Sequence, residues 1–264
     1  MPKSNDTVDK KVIQDYWTRN VPGLDMVAAK YTREDKEFYI ETDNFRYKYE
    51  SYIFPLIDSF VSKGKKILEV GCGMGTDSRY ISRKGADITS LDLSFNNVTL
   101  TLKGMRLLNL KGSGVCADAE NLPFKENSFD AVYSFGVLHH TPDTQKAINE
   151  LLRVLKPGGK CTVMLYHKGY AYYALLALHG YKRLFGLYTQ DKLMSKYDKT
   201  PLSRMYSSSE IRRIFKNFSN LDISITTFGA IQTHPVLKYV HALFRKSSFL
   251  LKRFGSFIII KGSK

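Results

Sequence analysis

The stretch from residue 66 to residue 92, KILEVGCGMGTDSRYISRKGADITSLD, constrains the fold more than any other part of this chain. Its pattern predicts a buried strand over 67–70, a glycine-rich turn over 71–75, a helix, and a second strand over 88–91 that leads into Asp92. Glycines in such a turn let a ligand touch the backbone, and a carboxylate after the second strand can hold ribose hydroxyls. The stretch therefore predicts one half of a nucleotide-binding fold.

Strand and helix patterns continue to alternate along the rest of the chain. Five further strands are predicted, over 114–117, 129–135, 160–166, 221–228 and 254–260, with a turn at 156–159 and helix caps at Ser94 and Ser207. This alternation predicts an α/β fold with a Rossmann-like, doubly wound and mostly parallel seven-stranded sheet. Residues 1–62 are expected to form a helical layer or lid. Residues 63–264 are expected to form one ligand-binding domain, whose helical insertions over 168–206 and 229–253 cap the substrate.

The glycine spacing bears on which nucleotide the turn would hold. A dinucleotide site of the NAD type favours G-x-G-x-x-G, which would need glycine at position 76, where this chain has Thr76. Asp92 does not discriminate, because every nucleotide ligand carries a ribose. Two plainer interpretations stay open at this point: the glycines could only reverse the chain, and Asp92 could only cap a helix.

Several segments follow the turn in a fixed order and decide between the nucleotides. They are Glu69-Val-Gly-Cys-Gly-Met-Gly75, Asp92-Leu-Ser94, Ala117-Asp-Ala-Glu-Asn-Leu-Pro-Phe124, Ser128-Phe-Asp-Ala-Val132 and Leu152-Arg-Val-Leu-Lys-Pro-Gly-Gly159. As a set they resemble the class I S-adenosylmethionine-dependent methyltransferases, most closely the branch related to the ubiquinone and menaquinone methyltransferases. The resemblance covers about residues 65–166 and implies S-adenosylmethionine as the cofactor.

The resemblance implies a role for each matching position. The backbone of the turn would lie beside the methionine part of the cofactor, with Glu69 near its amino-acid end, where its contact in this family is often indirect. Asp92 would accept hydrogen bonds from both ribose hydroxyls, and Asp118 would accept one from the adenine amino group. The cofactor-binding residues implied are Glu69, Gly71, Cys72, Gly73, Gly75, Asp92, Leu93, Asp118, Ala119, Phe135 and Gly136. Cys72 is expected to be a small filler of the turn rather than a nucleophile.

Methyl transfer from a sulfonium is an in-line displacement, so the protein must align the reacting groups and exclude water. A hydroxyl acceptor also needs a base, and His139 and His140 follow the fourth strand at the edge where ligands bind. One imidazole is expected to serve as the base, while the other contacts the cofactor or caps the loop. No third residue has metal-ligand spacing, so no metal is predicted. Candidate acceptor contacts are Tyr16, Trp17, Arg46, Tyr47, Tyr166 and His167.

The net charge of +15 is concentrated in the last third, where residues 160–264 hold 18 Lys+Arg and 4 Asp+Glu. Three interpretations stay open: solvated helix faces, an acceptor with phosphate or carboxylate, and docking of the apolar, basic stretches 170–187 and 236–253 on an anionic membrane. Nucleic acid is not expected, because no known DNA- or RNA-binding module is present. The expected partner is a small-molecule substrate, and the sequence leaves the oligomeric state open.

Three widely separated cysteines, a polar start and no long apolar run predict a cytoplasmic protein, with peripheral membrane contact as the alternative. The predicted function is methyl transfer to a small, lipophilic or anionic metabolite. The alternative is a scaffold or sensor that binds S-adenosylmethionine without catalysis.

Overall fold

The computed structural model describes residues 8–21, 23–24, 30–169, 172–173, 189–226, 247, 249–250, 253 and 255–264. Its centre is a sheet of seven strands: β1 (Lys66–Val70), β2 (Asp87–Asp92), β3 (Ser113–Cys116), β4 (Phe129–Phe135), β5 (Leu155–Tyr166), β6 (Ser219–Thr226) and β7 (Phe257–Ser263). The strand order is β3-β2-β1-β4-β5-β7-β6, and only β7 runs antiparallel to its neighbours. The predicted α/β, doubly wound and mostly parallel fold is confirmed.

Helices cover both faces of this sheet. In the described part of the chain they are α1 (Lys10–Arg19), α2 (Lys36–Tyr49), α3 (Ile53–Asp58), α4 (Thr76–Arg83), α5 (Phe95–Leu107), α6 (Thr144–Val154), α7 (Gln190–Asp198) and α8 (Ser208–Ile214). Both predicted caps are confirmed. The Ser94 hydroxyl accepts a hydrogen bond at the start of α5, and Ser207 forms a capping box with Glu210 before α8.

The predicted turn at 156–159 is wrong, because these residues lie inside β5. Phe129 of β4 pairs with Leu155, whereas Ala131 pairs with Lys160, so the extra residues of β5 bulge out of register. Gly158 takes a φ of +74° there, which glycine adopts readily. The predicted sixth strand starts at 221, two residues after the observed start of β6. The predicted seventh strand starts at 254, three residues before the observed start of β7.

Among the described residues before β1, the helices α1, α2 and α3 precede the sheet, and α3 shares a core with it. Side chains of α3 pack with those of β1, α4, β2 and β4 in one apolar cluster, which includes Ile53, Ile57, Ile67, Ile81, Ile88 and Tyr133. On the opposite face, α6 and α8 pack against β4, β5 and β7. The inserted helices predicted over 170–187 and 229–253 fall mostly outside the described residues, and so do the stretches predicted to dock on a membrane.

Candidate cofactor and active site

One cavity, with a volume of about 290 Å³, opens at the carboxyl ends of the parallel strands. Ligands of open parallel sheets bind at this edge. Its lining residues are Lys10, Ile13, Trp17, Arg46, Glu50, Val70, Gly71, Gly73, Leu91, Asp92, Leu93, Asn97, Ala117, Asp118, Ala119, Phe135, Gly136, Val137, His140, Thr141, Pro142, Met164, Tyr166 and Phe257. The cavity follows the strand order, from the end of β3 across β2, β1 and β4 to β5 and β7.

The structure brings many of the predicted site residues to this cavity and leaves others outside it. The predicted residues that line it are Trp17, Arg46, Gly71, Gly73, Asp92, Leu93, Asp118, Ala119, Phe135, Gly136, His140 and Tyr166. The predicted residues that do not line it are Tyr16, Tyr47, Glu69, Cys72, Gly75, His139 and His167. The binding roles of the first group stay predictions.

The three glycines of the turn all have positive φ, but they serve different purposes. A Cβ on Gly71 would stand 2.1 Å from Val137 Cγ2, and one on Gly75 would stand 2.6 Å from Thr101 Cγ2, so packing requires glycine at both positions. A Cβ on Gly73 would meet no atom within 4 Å, and Gly73 lines the cavity. Of the three, Gly73 therefore has the open surface that a close-lying ligand needs.

Asp92 lies at the end of β2, is 7% exposed and holds the glycine turn through a hydrogen bond to its backbone. Its carboxylate accepts hydrogen bonds from the backbone N–H of Gly73 (2.9 Å), from that of Ser94 (2.9 Å) and from Asn97 Nδ2 (3.2 Å). Burial raises the pKa of Asp92, and these hydrogen bonds oppose that rise. Ribose hydroxyls would share the Asp92 carboxylate with these donors, and their binding there stays a prediction.

Asp118 and Ala119 follow β3 at the far end of the cavity, where an adenine ring is predicted. The Asp118 carboxylate already accepts from the backbone N–H of Glu120 (2.9 Å) and from Lys10 Nζ (2.5 Å), which also pairs with the Glu120 carboxylate (2.6 Å). Lys10 belongs to α1, whose Gln14 donates to the Leu93 carbonyl (2.7 Å). An adenine amino group would therefore share Asp118 with Lys10, or displace it.

Glu69 and Cys72 are buried beside the turn and are not placed to touch a ligand in the cavity. The Glu69 carboxylate accepts a hydrogen bond from the Ser78 hydroxyl, and burial together with the nearby Asp77 carboxylate raises its pKa. The Cys72 thiol lies 3.3 Å from the Thr101 hydroxyl, and burial raises its pKa well above the usual value. Both features fit the prediction that Cys72 fills the turn, because a buried neutral thiol is a poor nucleophile.

The two predicted histidines lie in different environments. His140 lines the cavity, and its Nδ1 lies 2.6 Å from the Leu202 carbonyl oxygen. A carbonyl oxygen can only accept, so Nδ1 must carry the proton and Nε2 keeps its lone pair. Burial lowers the pKa of His140, which keeps the ring neutral near pH 7. The geometry thus favours His140 as the base.

His139 is fully buried between the rings of His140 and Tyr166, whose centroids lie 4.1 Å and 3.8 Å away. Neither of its ring nitrogens has a hydrogen-bond partner among the described residues. Burial, and secondarily the neighbouring His140, lowers the pKa of His139 well below its usual value. Of the two histidines predicted as candidate bases, only His140 lines the cavity, so His140 is the candidate that we retain.

The His139→Phe variant is expected to be about 1 kcal/mol more stable than the wild type at pH 7.5, because it removes two buried, unpaired nitrogens. In the wild type the unfolded chain binds a proton near pH 6.5 that the folded His139 resists, so stability falls as pH drops below that value. Below pH 6.5, the slope of the unfolding free energy against pH should be smaller in the variant by up to about 1.4 kcal/mol per pH unit. Urea unfolding at pH 7.5 and pH 5.5 measures both effects.

His167→Phe is the matched control, because the His167 Nδ1 is hydrogen-bonded to the Gly255 carbonyl (2.7 Å). This variant loses that bond and should be less stable than the wild type at pH 7.5. An unchanged pH dependence in His139→Phe would contradict the assignment of a buried neutral ring.

The remaining predicted acceptor contacts divide between the cavity and the fold. Trp17 lines the cavity, with its ring 4.9 Å from that of His140, and Tyr16 packs edge-to-face on Trp17 at 5.0 Å. The Tyr47 hydroxyl donates to the Thr76 carbonyl (3.1 Å) and so secures the start of α4. The sequence predicted a layer or a lid, and which of the two these helices form stays a prediction. Residues of α1 and of the end of α2 line the cavity, while α3 packs on the sheet.

Sequence reasoning missed several lining residues. Lys10 starts α1 and Glu50 follows directly after α2. No motif marks either residue, and only the tertiary fold brings them to the sheet edge. Thr141 and Pro142 follow directly after the two histidines and could have been included with them. Phe257 starts β7, and the antiparallel direction of β7 is the signal that places its first residue at this edge.

No group of three or more His, Cys, Asp or Glu in the described ranges is placed to hold a metal ion. Cys72, Cys116 and Cys161 are free thiols. None of the helices in the described part of the chain is long and apolar enough to cross a membrane. The open surface at Gly73, the Asp92 carboxylate at the cavity and the small Ala119 fit an adenosine ligand.

Residues 68–163 match a family model described as a methyltransferase domain. This range runs from β1 into β5 and contains the glycine turn, Asp92, Asp118 and both histidines. The chain carries a class I S-adenosylmethionine-dependent methyltransferase domain. The predicted family and its cofactor are thereby confirmed over the NAD alternative, whereas the ubiquinone and menaquinone branch stays a prediction.

Curated relatives of this methyltransferase domain match in sequence over part of their length. Methyltransferase GfsG of Streptomyces halstedii is 33% identical over 140 residues, which cover 46% of this chain and 50% of the relative. A fatty-acid O-methyltransferase of Mycolicibacterium smegmatis is 33% identical over 157 residues, covering 57% of this chain and 56% of the relative. The chain thus spans about half the length of these relatives.

A solved structure extends the likeness of the methyltransferase fold beyond the domain match. The crystal structure of the [4+2]-cyclase SpnF aligns with a TM-score of 0.61 at 20% identity, covering 97% of this chain and 95% of that one. At this identity the likeness concerns the fold alone.

Proposed function

We propose that the protein transfers the methyl group of S-adenosylmethionine to a small lipophilic acceptor. The observation that carries the acceptor class is the wall of the cavity beyond the glycine turn, where apolar and aromatic side chains predominate. These side chains are Ile13, Trp17, Phe135, Val137, Met164, Tyr166 and Phe257. Such a wall favours an apolar ligand over a strongly hydrated one. The fatty-acid O-methyltransferase among the relatives supports the same acceptor class.

The sulfonium of the cofactor supplies the reactive methyl group, so the chain itself has to bind, orient and exclude water. Asp92 and Gly73 are proposed to hold the nucleoside. Asp92 supplies a hydrogen-bond acceptor, and Gly73 supplies backbone that no side chain covers. Ile13 and Trp17 of α1 line the cavity and are proposed to help exclude water from it, which would strengthen polar interactions inside. His140 Nε2 is proposed to take the proton from a hydroxyl acceptor.

The His140→Gln variant is expected to lower kcat for a hydroxyl acceptor by about 10²–10⁴-fold, the usual contribution of a general base. Wild-type kcat should stay constant from pH 8 down towards neutral pH, because burial lowers the pKa of His140 and the base stays neutral there. Below that pKa the rate should fall as the ring binds a proton. Initial rates across this pH range measure both expectations.

The matched control is His139→Phe, which should keep its turnover because His139 does not line the cavity. Equal turnover in His140→Gln and wild type would remove the base from the proposal. It would favour an acceptor that arrives already ionised or neutral and needs no base.

A panel of acceptors tests the proposed substrate class. Long-chain fatty acids, sterols and hydroxylated aromatics are compared with short-chain acids and phosphoethanolamine, using methyl-labelled S-adenosylmethionine. We expect kcat/KM to rise with the apolar area of the acceptor, because the apolar and aromatic side chains of the cavity wall would cover that area. A preference for the short or phosphorylated compounds would contradict the lipophilic assignment.

Contact with an anionic membrane is a second, separate proposal, supported by the basic composition of residues 160–264. Sedimentation with liposomes at low and high salt tests it. Equal sedimentation with neutral and anionic liposomes would dismiss it.

A further inference from the structure

Two oppositely charged side chains, Arg46 and Glu50, line one end of the cavity. They stand four residues apart at the end of α2, so they share one side of the helix and form an ion pair. The Arg46 side chain is 26% exposed and that of Glu50 is 3% exposed, so the pair lies largely out of water. A buried ion pair costs desolvation free energy that apolar side chains would not, so its place in the cavity wall suggests a ligand.

The strand order fixes where this pair lies relative to a bound nucleoside. Asp92 ends β2, and Asp118 follows β3 on one side of it. On the other side, the Arg46 guanidinium carbon lies 5.2 Å from the ring centroid of Phe135, which ends β4. A ribose on Asp92 therefore directs its base towards one flank and its 5′ substituent towards the other.

The chemistry of the two flanks separates these possibilities. The Asp118 flank has small apolar neighbours, Ala117 and Ala119, and a carboxylate that can accept from the amino group of a purine. The opposite flank presents one cation and one anion. An amino-acid group is a zwitterion whose ammonium and carboxylate share one carbon, so an adjacent guanidinium and carboxylate are its complement.

We propose that Arg46 and Glu50 bind the amino-acid end of the methyl donor, Arg46 donating to its carboxylate and Glu50 accepting from its ammonium. This inference rests on the proposed function, because it requires a nucleoside-linked amino acid in the cavity. Glu69, which the resemblance implies for this end, does not line the cavity and holds Ser78 instead. The site is thus contributed by α2, outside residues 68–163 of the domain match.

Both members of the pair have hydrogen-bonding capacity to spare. A guanidinium has five N–H donors, and Arg46 uses Nη1 on Glu50 and Nη2 on Asp77 (3.1 Å). Glu50 accepts from Arg46 and from the Tyr52 hydroxyl (3.3 Å), two of its roughly four acceptor positions. Asp77 and Tyr52 thereby hold the pair in place while leaving groups for a ligand.

Calorimetry with three probes tests the proposal: S-adenosylhomocysteine, decarboxylated S-adenosylmethionine and methylthioadenosine. The first carries the whole amino acid, the second lacks the carboxylate, and the third lacks the amino acid. Arg46→Met is expected to weaken the binding of S-adenosylhomocysteine roughly tenfold or more and to leave the other two within about twofold. Glu50→Gln is expected to weaken the first two probes and to leave methylthioadenosine unchanged.

Methylthioadenosine reports on the fold of every variant, because it needs the nucleoside contacts alone. Arg46→Lys keeps the charge without the fork and should lose affinity for S-adenosylhomocysteine to an intermediate degree. Arg83→Met removes an ion pair with Asp43 outside the cavity and should change none of the three affinities.

If Arg46→Lys and Glu50→Gln weakened the binding of all three probes equally, the pair would have a structural role and the proposal would be overturned. Unchanged affinities in both variants would also overturn it. A wild-type protein that binds none of the probes would contradict the proposed function itself. A wild type that binds S-adenosylhomocysteine and methylthioadenosine equally well would contradict the amino-acid site alone.

Discussion

Asp92→Ala is expected to weaken the binding of S-adenosylhomocysteine by roughly a hundredfold or more. The substitution removes the acceptor for a ribose hydroxyl, and a hydrogen bond to a charged group contributes about 1.5–3 kcal/mol. It also frees the Gly73 backbone N–H, which Asp92 holds at 2.9 Å, so the turn loses its support beneath the ligand. Each tenfold change in affinity corresponds to about 1.4 kcal/mol, and the two losses together reach the expected effect. Calorimetric titration measures it.

Asp87→Ala provides the matched control, since Asp87 starts the same strand and is exposed, far from the cavity edge. Its affinity for S-adenosylhomocysteine should equal that of the wild type. Similar affinities in Asp92→Ala and Asp87→Ala would show that Asp92 serves only the turn and the cap of α5.

Gly71→Ala is expected to lower the free energy of unfolding by roughly 2–5 kcal/mol. The residue has a φ of +86°, and an L side chain in the left-handed region costs about 1–2 kcal/mol. Its new Cβ would stand 2.1 Å from Val137 Cγ2, and an overpacked core costs a further 1–3 kcal/mol or so. Val137 lines the cavity wall, so the cofactor site should be distorted as well. Urea unfolding measures the stability of the variant.

Gly64→Ala separates the two causes, because Gly64 has a φ of +78° but a Cβ there would meet no atom within 4 Å. Its cost should stay near the backbone strain of about 1–2 kcal/mol. Equal costs for Gly71→Ala and Gly64→Ala would contradict the clash with Val137 as the reason for a glycine at 71.

The sheet and the centre of the site could be predicted from the sequence, because both depend on local patterns. The strand before Gly71 and the strand that ends at Asp92 are short apolar runs with glycine or a carboxylate at the end, and such runs keep their structure in most contexts. The position of His140 follows from β4 in the same way. The same local patterns would identify the equivalent residues in any other chain that contains them.

The two ends of the cavity could be predicted only in part, because they are formed by long-range contacts: Asp118 and Arg46 were predicted, whereas Lys10 and Glu50 were not. Lys10 reaches Asp118 across 108 residues of sequence, and no periodicity in α1 signals that ion pair. The same holds for Glu50, whose role depends on where α2 lies over β4. Glu69 shows the reverse case: the motif identified it, but it is buried, accepts a hydrogen bond from the Ser78 hydroxyl and does not line the cavity.

The register of β5 was missed for a different reason. The run Lys156-Pro-Gly-Gly159 has the composition of a turn, and turn composition normally ends a strand. Here pairing with β4 on both sides of the run carries the strand through it as a bulge. Tertiary pairing thus overrides the local preference.

Transfer of a labelled methyl group tests the central claim most directly. The wild-type protein is incubated with methyl-labelled S-adenosylmethionine and a lipid extract, and Asp92→Ala serves as the inactive reference. We predict that label enters the organic-soluble fraction with the wild type, with S-adenosylhomocysteine formed in equal amount, and that both signals are lost in Asp92→Ala. Binding of S-adenosylmethionine by the wild type without label in any acceptor, from lipid or aqueous extracts, would contradict a methyltransferase and favour a protein that binds the cofactor without catalysis.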